Sequence, residues 1–121
     1  MILNINATGI DLTDAIRQTV EEKFYGLEKY FDNIVQIDAD VGKKTGNHHR
    51  KGDIYYAEVT IHVPGETLFV EKSEDDLYKA INKVKDHCKY VLDDYKEKMR
   101  QVDRKHIRSV KAYTIEKPDE D

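Results

Sequence analysis

The sequence contains no tryptophan, two prolines and one cysteine, and it lacks any long uninterrupted apolar run. Because Cys88 has no second cysteine to pair with, an internal disulfide is excluded. The apolar runs are too short to span a bilayer, and the first ten residues, MILNINATGI, lack the basic start and apolar block of a secretory signal. We therefore expect a cytoplasmic protein with no membrane partner.

Residue patterns typical of catalytic or metal sites are also scarce. His48 and His49 are adjacent, so their side chains point apart, and no cysteine or further histidine stands at ligand spacing. The sequence has no phosphate-binding glycine loop and no nucleophile motif. Neighbouring carboxylates such as Asp93 and Asp94 diverge by about 100° on a helix and cannot converge as an acid and base pair. We expect no enzyme, no catalytic residue, no metal and no cofactor.

The composition fits one folded domain. With 39% apolar and 36% charged residues, 121 residues can bury one core. The chain after residue 100 is polar and ends in IEKPDED. We predict a folded domain over residues 1–100 and a flexible, charged tail over residues 101–121.

Apolar residues alternate in some segments, as in strands, and recur at helical spacing in others. Thr13 is a predicted N-cap for the first helix, and Ser73 for the second. The predicted elements are a strand over 3–7, a helix over 13–30, a strand over 35–41, hairpin strands over 55–63 and 68–70, and a helix over 73–99. The stretch between Gly42 and Asp53 has no apolar residue and predicts a loop.

The second helix carries the strongest pattern, because its apolar residues fall in one narrow stripe. The stripe consists of Leu77, Ile81, Val84, Cys88, Val91, Tyr95 and Met99. A turn at Pro64-Gly65 would pair Ile61 with Leu68 in the preceding hairpin. Together the elements predict an α+β fold with the order β-α-β-β-β-α, in which both helices pack on one face of a four-stranded sheet.

Charge is unevenly distributed along this acidic chain. The formal net charge of −4 argues against a nucleic-acid ligand. Two segments nevertheless carry a net charge of +4 each, residues 43–51 and residues 100–111. Their basic residues are Lys43, Lys44, Arg50 and Lys51 in the first segment and Arg100, Arg104, Lys105, Arg108 and Lys111 in the second.

Tyr90 lies outside the apolar stripe, close on the helical wheel to Lys79 and Lys83 but also to Asp86 and Asp94. One interpretation is an exposed tyrosine that covers lysine stems. The other is a platform on which an RNA base stacks. We favour the first interpretation, because the neighbouring carboxylates would repel phosphates.

Two stretches, DLTDAIRQTVEEKFYGLEKYF and EDDLYKAINKV, resemble the ribosome hibernation-promoting factor and protein Y family. The resemblance covers residues 1 to about 99. It is carried mainly by Asp11-Leu12-Thr13, Ala15-Ile16-Arg17, Leu27-Glu28-Lys29, Asp76-Leu77-Tyr78 and Ala80-Ile81. It implies a fold similar to a double-stranded-RNA-binding domain, which has the same order of elements as that predicted above.

The resemblance also implies a function. Members of this family bind the small ribosomal subunit in the channel for messenger and transfer RNA, and they inhibit translation by occlusion. Basic residues that match the family's RNA contacts are Arg17, Lys23, Lys29 and Lys98. The sequence departs from the family at Gly26, His87, Tyr90 and Asp94, where relatives have lysine or arginine. We therefore hypothesise that the two basic segments supply phosphate contacts in place of those absent from the second helix.

The predicted RNA-binding set follows from these arguments. It comprises Arg17, Lys23, Lys29, Lys79, Lys83, Lys98, Arg100, Arg104, Lys105, Arg108, Lys43, Lys44, Arg50 and Lys51. The partners are then the small ribosomal subunit and its RNA. The tail resembles the protein Y branch, which implies a monomer that holds single inactive ribosomes.

Two other functions remain open at this point. A module of the same fold could bind another structured RNA, which binding to naked duplex RNA rather than to ribosomes would reveal. A protein adaptor could instead use the open face of the sheet, and its binding would survive high salt.

Overall fold

The structure, a computed structural model, describes the backbone of residues 1–44 and 53–115 and the side chains of residues 1–44 and 53–105. The order of its elements is the predicted β-α-β-β-β-α. The elements are β1 (Ile2–Thr8), α1 (Asp14–Tyr25), a 3-10 turn (Gly26–Lys29), β2 (Gln36–Lys44), β3 (Ile54–Val63), β4 (Glu66–Glu74) and α2 (Leu77–Ile115).

The four strands form one sheet in the order β1-β2-β3-β4. β1 pairs with β2 in parallel, and β2, β3 and β4 pair antiparallel. A parallel pair needs a crossover connection, which α1 supplies. The buried residues of both helices and of the sheet form a single core. The predicted α+β fold is confirmed, and its likeness to a double-stranded-RNA-binding domain stays a prediction.

The hairpin between β3 and β4 has the predicted register. Ile61 pairs with Leu68, and Val63 pairs with Glu66, so Pro64 and Gly65 alone form the turn. Gly65 has a φ of +79°, a left-handed conformation that glycine adopts without steric cost. The turn therefore places the apolar residues of the two strands on the same face of the sheet.

Helix α1 begins where the capping pattern predicted. The hydroxyl oxygen of Thr13 accepts a hydrogen bond from the Ile16 backbone N–H at 3.2 Å. Ile16, Val20 and Phe24 form its buried stripe. The helix ends at Tyr25, earlier than predicted, and continues as the 3-10 turn, in which Leu27 is fully buried.

The start of α2 corrects the predicted cap. Ser73 belongs to β4, which continues to Glu74, so it cannot cap the helix. Asp76 does so instead, because its carboxylate accepts a hydrogen bond from the Lys79 backbone N–H at 3.0 Å.

The end of α2 also corrects a boundary. The helix continues to Ile115, so the division predicted at residues 100 and 101 falls within a helix, and residues 101–115 are helical. Leu92 is fully buried although the predicted stripe omitted it, whereas Met99 is 40% exposed and Val102 57% exposed. The core therefore ends at Tyr95, and the helix extends beyond it.

Strand β2 is longer than predicted at its C-terminal end. Gly42, Lys43 and Lys44 continue the strand, and Gly42 is buried between Thr8 of β1 and Tyr56 of β3. At the other end Val35 precedes the strand and is exposed, and Ile34 is buried instead. The prediction that Lys43 and Lys44 lie in a loop is therefore wrong.

Candidate nucleic-acid interface

The face of the sheet opposite the helices is polar and acidic. Asp40, Glu58 and Glu71 occupy paired positions on β2, β3 and β4 and form a row of carboxylates. Asp38 stands in the neighbouring row, where it accepts a hydrogen bond from the Asn4 amide at 2.9 Å. This face would repel phosphate groups.

Two of these carboxylates titrate away from their ordinary range, in opposite directions. Hydrogen bonds from Asn4, Gln36 and His62 lower the pKa of Asp38. Burial, followed by the nearby Glu71 carboxyl, raises the pKa of Glu58. Glu58 is thus the carboxylate in this row that holds its proton more tightly than an exposed glutamate does.

The opposite side of the molecule contains a basic cleft between the C-terminal end of α1 and the middle of α2. The cleft has a volume of about 240 Å³. It is lined by Glu22, Lys23, Gly26, Lys29, Tyr30 and Lys85. Three lysines and one glutamate therefore meet around one opening.

Local structure explains how the lysines of the basic cleft converge. Lys23 is in the last turn of α1, and Lys29 ends the 3-10 turn that follows. Gly26 lies between them, and a Cβ atom there would meet nothing within 4 Å, so the missing side chain leaves the opening clear. Among the described residues, no carboxylate lies within ion-pair distance of Lys23 or Lys29. Both can therefore bind an external anion.

Two further lysines of α2 reach the same region but contact Tyr30. Lys89 places its ammonium nitrogen 4.3 Å from the centre of the Tyr30 ring, which is a cation–π contact. Lys96 donates a hydrogen bond from its ammonium to the Tyr30 carbonyl oxygen. These two lysines link α2 to the turn.

Lys85 of the basic cleft is 3.6 Å from Asp86 on the same helix, and the predicted cations of α2 also lie beside carboxylates. Lys79 and Lys83 are 3.6 and 3.2 Å from Glu74 of β4, and Lys98 is 3.6 Å from Glu66. Farther along, Glu97 pairs with Arg100 at 3.5 Å and with Arg104 at 3.2 Å. All of these pairs are solvent-accessible, so each holds its cation only weakly.

The first basic segment is divided between the strand and residues outside the described part. Lys43 pairs with Asp53 at 3.1 Å, and Lys44 with Glu71 at 3.5 Å. Arg50 and Lys51 lie outside the described residues. The structure therefore brings Lys23 and Lys29 together, and it places Lys43 and Lys44 at the end of the sheet.

Two further predicted cations, Arg17 and Lys105, do not line the basic cleft. Arg17 is exposed on α1, and Lys105 is exposed on the extension of α2. The side chain of Arg108 lies outside the described residues. Contacts with RNA at these positions stay predictions.

Tyr90 is 71% exposed on the outer side of α2. Its ring meets the His87 ring edge-on, with centroids 6.3 Å apart. The predicted position outside the apolar stripe is confirmed, and a role in base stacking stays a prediction.

Prediction from sequence missed Lys85, Lys89 and Lys96. The three share the flank of α2 that faces the 3-10 turn, at spacings of four and seven residues. That spacing was a usable signal, but the position of α1 beside this flank depends on tertiary packing. The nearest aromatic group, Tyr30, also comes from that distant segment.

Within the described residues, none of the helices combines the length and the apolarity needed to cross a membrane. In the same part of the chain, no three histidine, cysteine or carboxylate side chains are grouped to hold a metal ion. Cys88 is buried in the core, and burial raises the pKa of its thiol to about 12. Its thiolate is therefore scarce at neutral pH, and Cys88 has the predicted core role.

The fold of this chain is similar to that of proteins whose structures have been solved. A ribosomal subunit interface protein from Coxiella burnetii superposes with a TM-score of 0.70 and 21% identity, over 80% of this chain and 99% of that one. The N-terminal domain of protein Y from Thermus thermophilus superposes with a TM-score of 0.63 and 27% identity, over 78% and 99% of the two chains.

Curated relatives agree with the structural likeness. A ribosome hibernation promoting factor from Escherichia coli K12 is 31% identical over 84% of this chain and 99% of its own length. One from Azotobacter vinelandii is 35% identical over 86% of this chain and 89% of its own length. The family model described as sigma 54 modulation protein / S30EA ribosomal protein matches residues 3–100. The chain therefore belongs to this family, which consists of ribosome-associated proteins and not of enzymes.

Proposed function

We propose that this protein is a ribosome hibernation factor that binds the small ribosomal subunit and inhibits translation by occupying the channel for messenger and transfer RNA. The names of its relatives support the ribosomal and hibernation part of this role. The observation that carries the finer proposal is the basic cleft, in which Lys23, Lys29 and Lys85 surround one opening. The role requires binding and no chemistry.

The distribution of charge favours the helices as the RNA-binding side. A phosphate group brought to the basic cleft meets three ammonium groups, whereas the sheet face would present Asp40, Glu58 and Glu71. Ribosomal RNA presents a dense array of phosphates, so the contacts release counterions and weaken as salt increases. Because shape and phosphates dominate recognition of structured RNA, no set of base-reading side chains is required.

The paired cations of α2 form a second, weaker group of contacts. Lys79, Lys83 and Lys98 must exchange a carboxylate partner for a phosphate before they bind RNA. Since exposed ion pairs contribute about 0–1 kcal/mol each, the exchange is feasible but reduces the net gain. The extension of α2 adds Arg100, Arg104 and Lys105 beyond the sheet.

The proposed partner complex contains one copy of the chain on one small subunit. The cleft is formed entirely by residues of a single chain, so no second copy is needed to complete it. We therefore expect a monomer in solution that holds single ribosomes, located in the cytoplasm with them.

The test is co-sedimentation of the purified chain with small ribosomal subunits at about 50 and 200 mM salt. A triple variant of the cleft, Lys23→Glu with Lys29→Glu and Lys85→Glu, should lose most binding and reduce the salt slope by about 2 to 3. The matched control reverses three cations of α2 that do not line the cleft, Lys79→Glu with Lys83→Glu and Lys98→Glu. It changes the net charge equally, and we expect it to lose less affinity.

Three outcomes would contradict the proposal. Failure of the unsubstituted chain to sediment with small subunits would exclude the ribosomal partner. Stronger binding to naked duplex RNA than to subunits would favour a general RNA-binding module. Equal loss in the two triple variants would exclude the cleft as the main contact, since net charge alone would then explain the binding.

A further inference from the structure

Tyr30 connects the two segments that carry the lysines of the basic cleft. It follows the 3-10 turn directly, next to Lys29. Its ring lies under the ammonium group of Lys89, 4.3 Å from the ring centre. Its carbonyl oxygen accepts the hydrogen bond from Lys96. A single residue of the turn thus contacts two lysines of α2 that are seven residues apart.

These contacts lie where the two helices approach each other. α2 packs mainly on β3 and β4, whereas α1 contacts β1 and α2 to a similar extent. The opening between Lys29 and Lys85 is therefore bordered both by the contact between the helices and by the contacts of Tyr30 with α2. The contacts of Tyr30 with α2 lie at this opening, which Tyr30 itself also lines.

The cation–π contact also fixes the position of one of two neighbouring positive charges. Lys85 and Lys89 are four residues apart on one helix, a spacing at which two ammonium groups repel each other. The Tyr30 ring holds the ammonium of Lys89 on its face, which leaves Lys85 on the rim of the basic cleft. Without the ring, Lys89 would be free to move and its charge would no longer be fixed relative to Lys85.

We propose that Tyr30 is a positioning residue for RNA binding: by holding Lys89 and Lys96 it fixes the spacing of Lys29 and Lys85, so that both reach phosphates of the same RNA segment. This inference rests on the proposed function and deepens it. Tyr30 need not touch the RNA in this role. Because Lys89 and Lys96 are already held in the free protein, fewer side chains have to become ordered when RNA binds.

The Tyr30 ring packs at the edge of the core, but the turn has other anchors. The next residue, Phe31, packs edge-on against Tyr95 of α2 with ring centroids 5.3 Å apart. Leu27 of the same turn is fully buried in the core. These two residues anchor the turn when the Tyr30 side chain is changed.

The test compares three variants of the full chain in binding to small ribosomal subunits. Tyr30→Leu removes the ring face and keeps the backbone carbonyl, and we expect affinity to fall roughly three- to tenfold. We also expect the salt slope to decrease by about 1, because one phosphate fewer is neutralised. Tyr30→Phe keeps a ring face and should bind within about twofold of the unsubstituted chain. The control Tyr25→Leu makes the same change at an exposed tyrosine of α1, and its affinity and salt slope should equal those of the unsubstituted chain.

A second readout follows the contact in the free protein by NMR. The side-chain methylene signals of Lys89, identified by their absence in Lys89→Gln, should be shifted upfield by the aromatic ring. The shift should remain in Tyr30→Phe and disappear in Tyr30→Leu. A purely structural role would lower the melting temperature of Tyr30→Leu without changing its salt slope.

The outcomes separate the inference from the proposed function. If the unsubstituted chain binds small subunits and Tyr30→Leu binds with the same affinity and salt slope, the positioning role is excluded and the proposed function stands. If the ring-current shift is absent from the unsubstituted chain, the positioning role is likewise excluded. If the unsubstituted chain does not bind, the proposed function fails and the inference fails with it.

Discussion

Glu58 and Glu71 stand directly opposite each other on β3 and β4, so their side chains are close neighbours on one face of the sheet. Two carboxylates in this position repel each other unless one holds a proton. Burial of Glu58, followed by the nearby Glu71 carboxyl, raises its pKa above the ordinary value of 4.5. At neutral pH the two carboxylates therefore repel each other, and Lys44, 3.5 Å from Glu71, offsets only part of this repulsion.

Replacement of Glu58 by glutamine should stabilise the protein at neutral pH. The folded protein keeps the Glu58 proton above pH 4.5, where the unfolded chain has released it, so the free energy of unfolding falls as the pH rises from 4.5 through the higher folded pKa. Glu58→Gln removes this loss. We expect the free energy of unfolding to increase by about 0.5 kcal/mol at pH 7 and the melting temperature to increase by about 2–4 °C. Thermal unfolding monitored by circular dichroism measures both quantities.

The same experiment at pH 4 and the variant Glu28→Gln provide the controls. Below pH 4.5 the unsubstituted Glu58 is largely protonated in both states, so the advantage of glutamine should shrink. Glu28 is an exposed glutamate of the 3-10 turn, and its replacement changes the charge equally. An equal gain from Glu28→Gln would attribute the effect to net charge and not to the pair.

Replacement of Gly42 by alanine should be strongly destabilising. A Cβ atom at this position would lie 2.1 Å from the Thr8 carbonyl oxygen and 2.9 Å from the Tyr56 ring. The clash with the backbone forces the β1–β2 pair apart, and we expect a cost of about 1–3 kcal/mol. Gly26→Ala meets open space and should cost far less. Equal urea midpoints for the two variants would contradict the close packing of β2 against Thr8.

Two apolar residues of α2 should respond very differently to truncation of their side chains. Leu92 is fully buried, so Leu92→Ala should cost about 2–5 kcal/mol through weaker packing and a cavity. Val102 is exposed beyond the sheet, and Val102→Ala should change stability by less than about 0.5 kcal/mol. Chemical denaturation checks both values. A large loss of stability at Val102 would show that the extension of α2 packs against something in solution.

Removal of the chain after Met99 should separate stability from binding. Residues 100–105 are exposed, so the melting temperature should change by no more than about 2–4 °C. Binding to small subunits should weaken and its salt slope should fall, because six basic residues are removed, Arg100, Arg104, Lys105, Arg108, Lys111 and Lys117. Removal after Ile115 deletes only EKPDED, which has a net charge of −3, and should not weaken binding. Unchanged sedimentation of the shorter variant would exclude the extension as an RNA contact.

Features that depend on neighbouring residues were predictable from the sequence. The Thr13 cap and the β3–β4 register follow from short-range rules about hydrogen bonding and alternation, and both are confirmed. The cap of α2 was misplaced because serine is a good N-cap wherever a helix follows, and the sequence does not reveal that β4 continues through Ser73. Tertiary pairing with Tyr56 decided between the two possibilities.

The candidate site was predictable only in part, because it combines distant segments. Lys23 and Lys29 were predicted through the family resemblance, and they line the cleft. Lys85 joins them only because α1 lies beside one flank of α2, an arrangement that no local spacing specifies. The pairing of Lys79 with Glu74 is likewise a tertiary result, since it depends on where β4 ends.

The placement of acidic and basic groups on opposite sides of the sheet has a consequence for the approach to a partner. Asp40, Glu58 and Glu71 lie on one side of the sheet, and Lys29 and Lys85 lie on the other. The net charge of −4 would oppose approach to a polyanion, whereas this separation of charge would turn the basic cleft towards it before any contact forms. Electrostatic steering would therefore select the orientation of the encounter, and an excess of simple salt would abolish that selection.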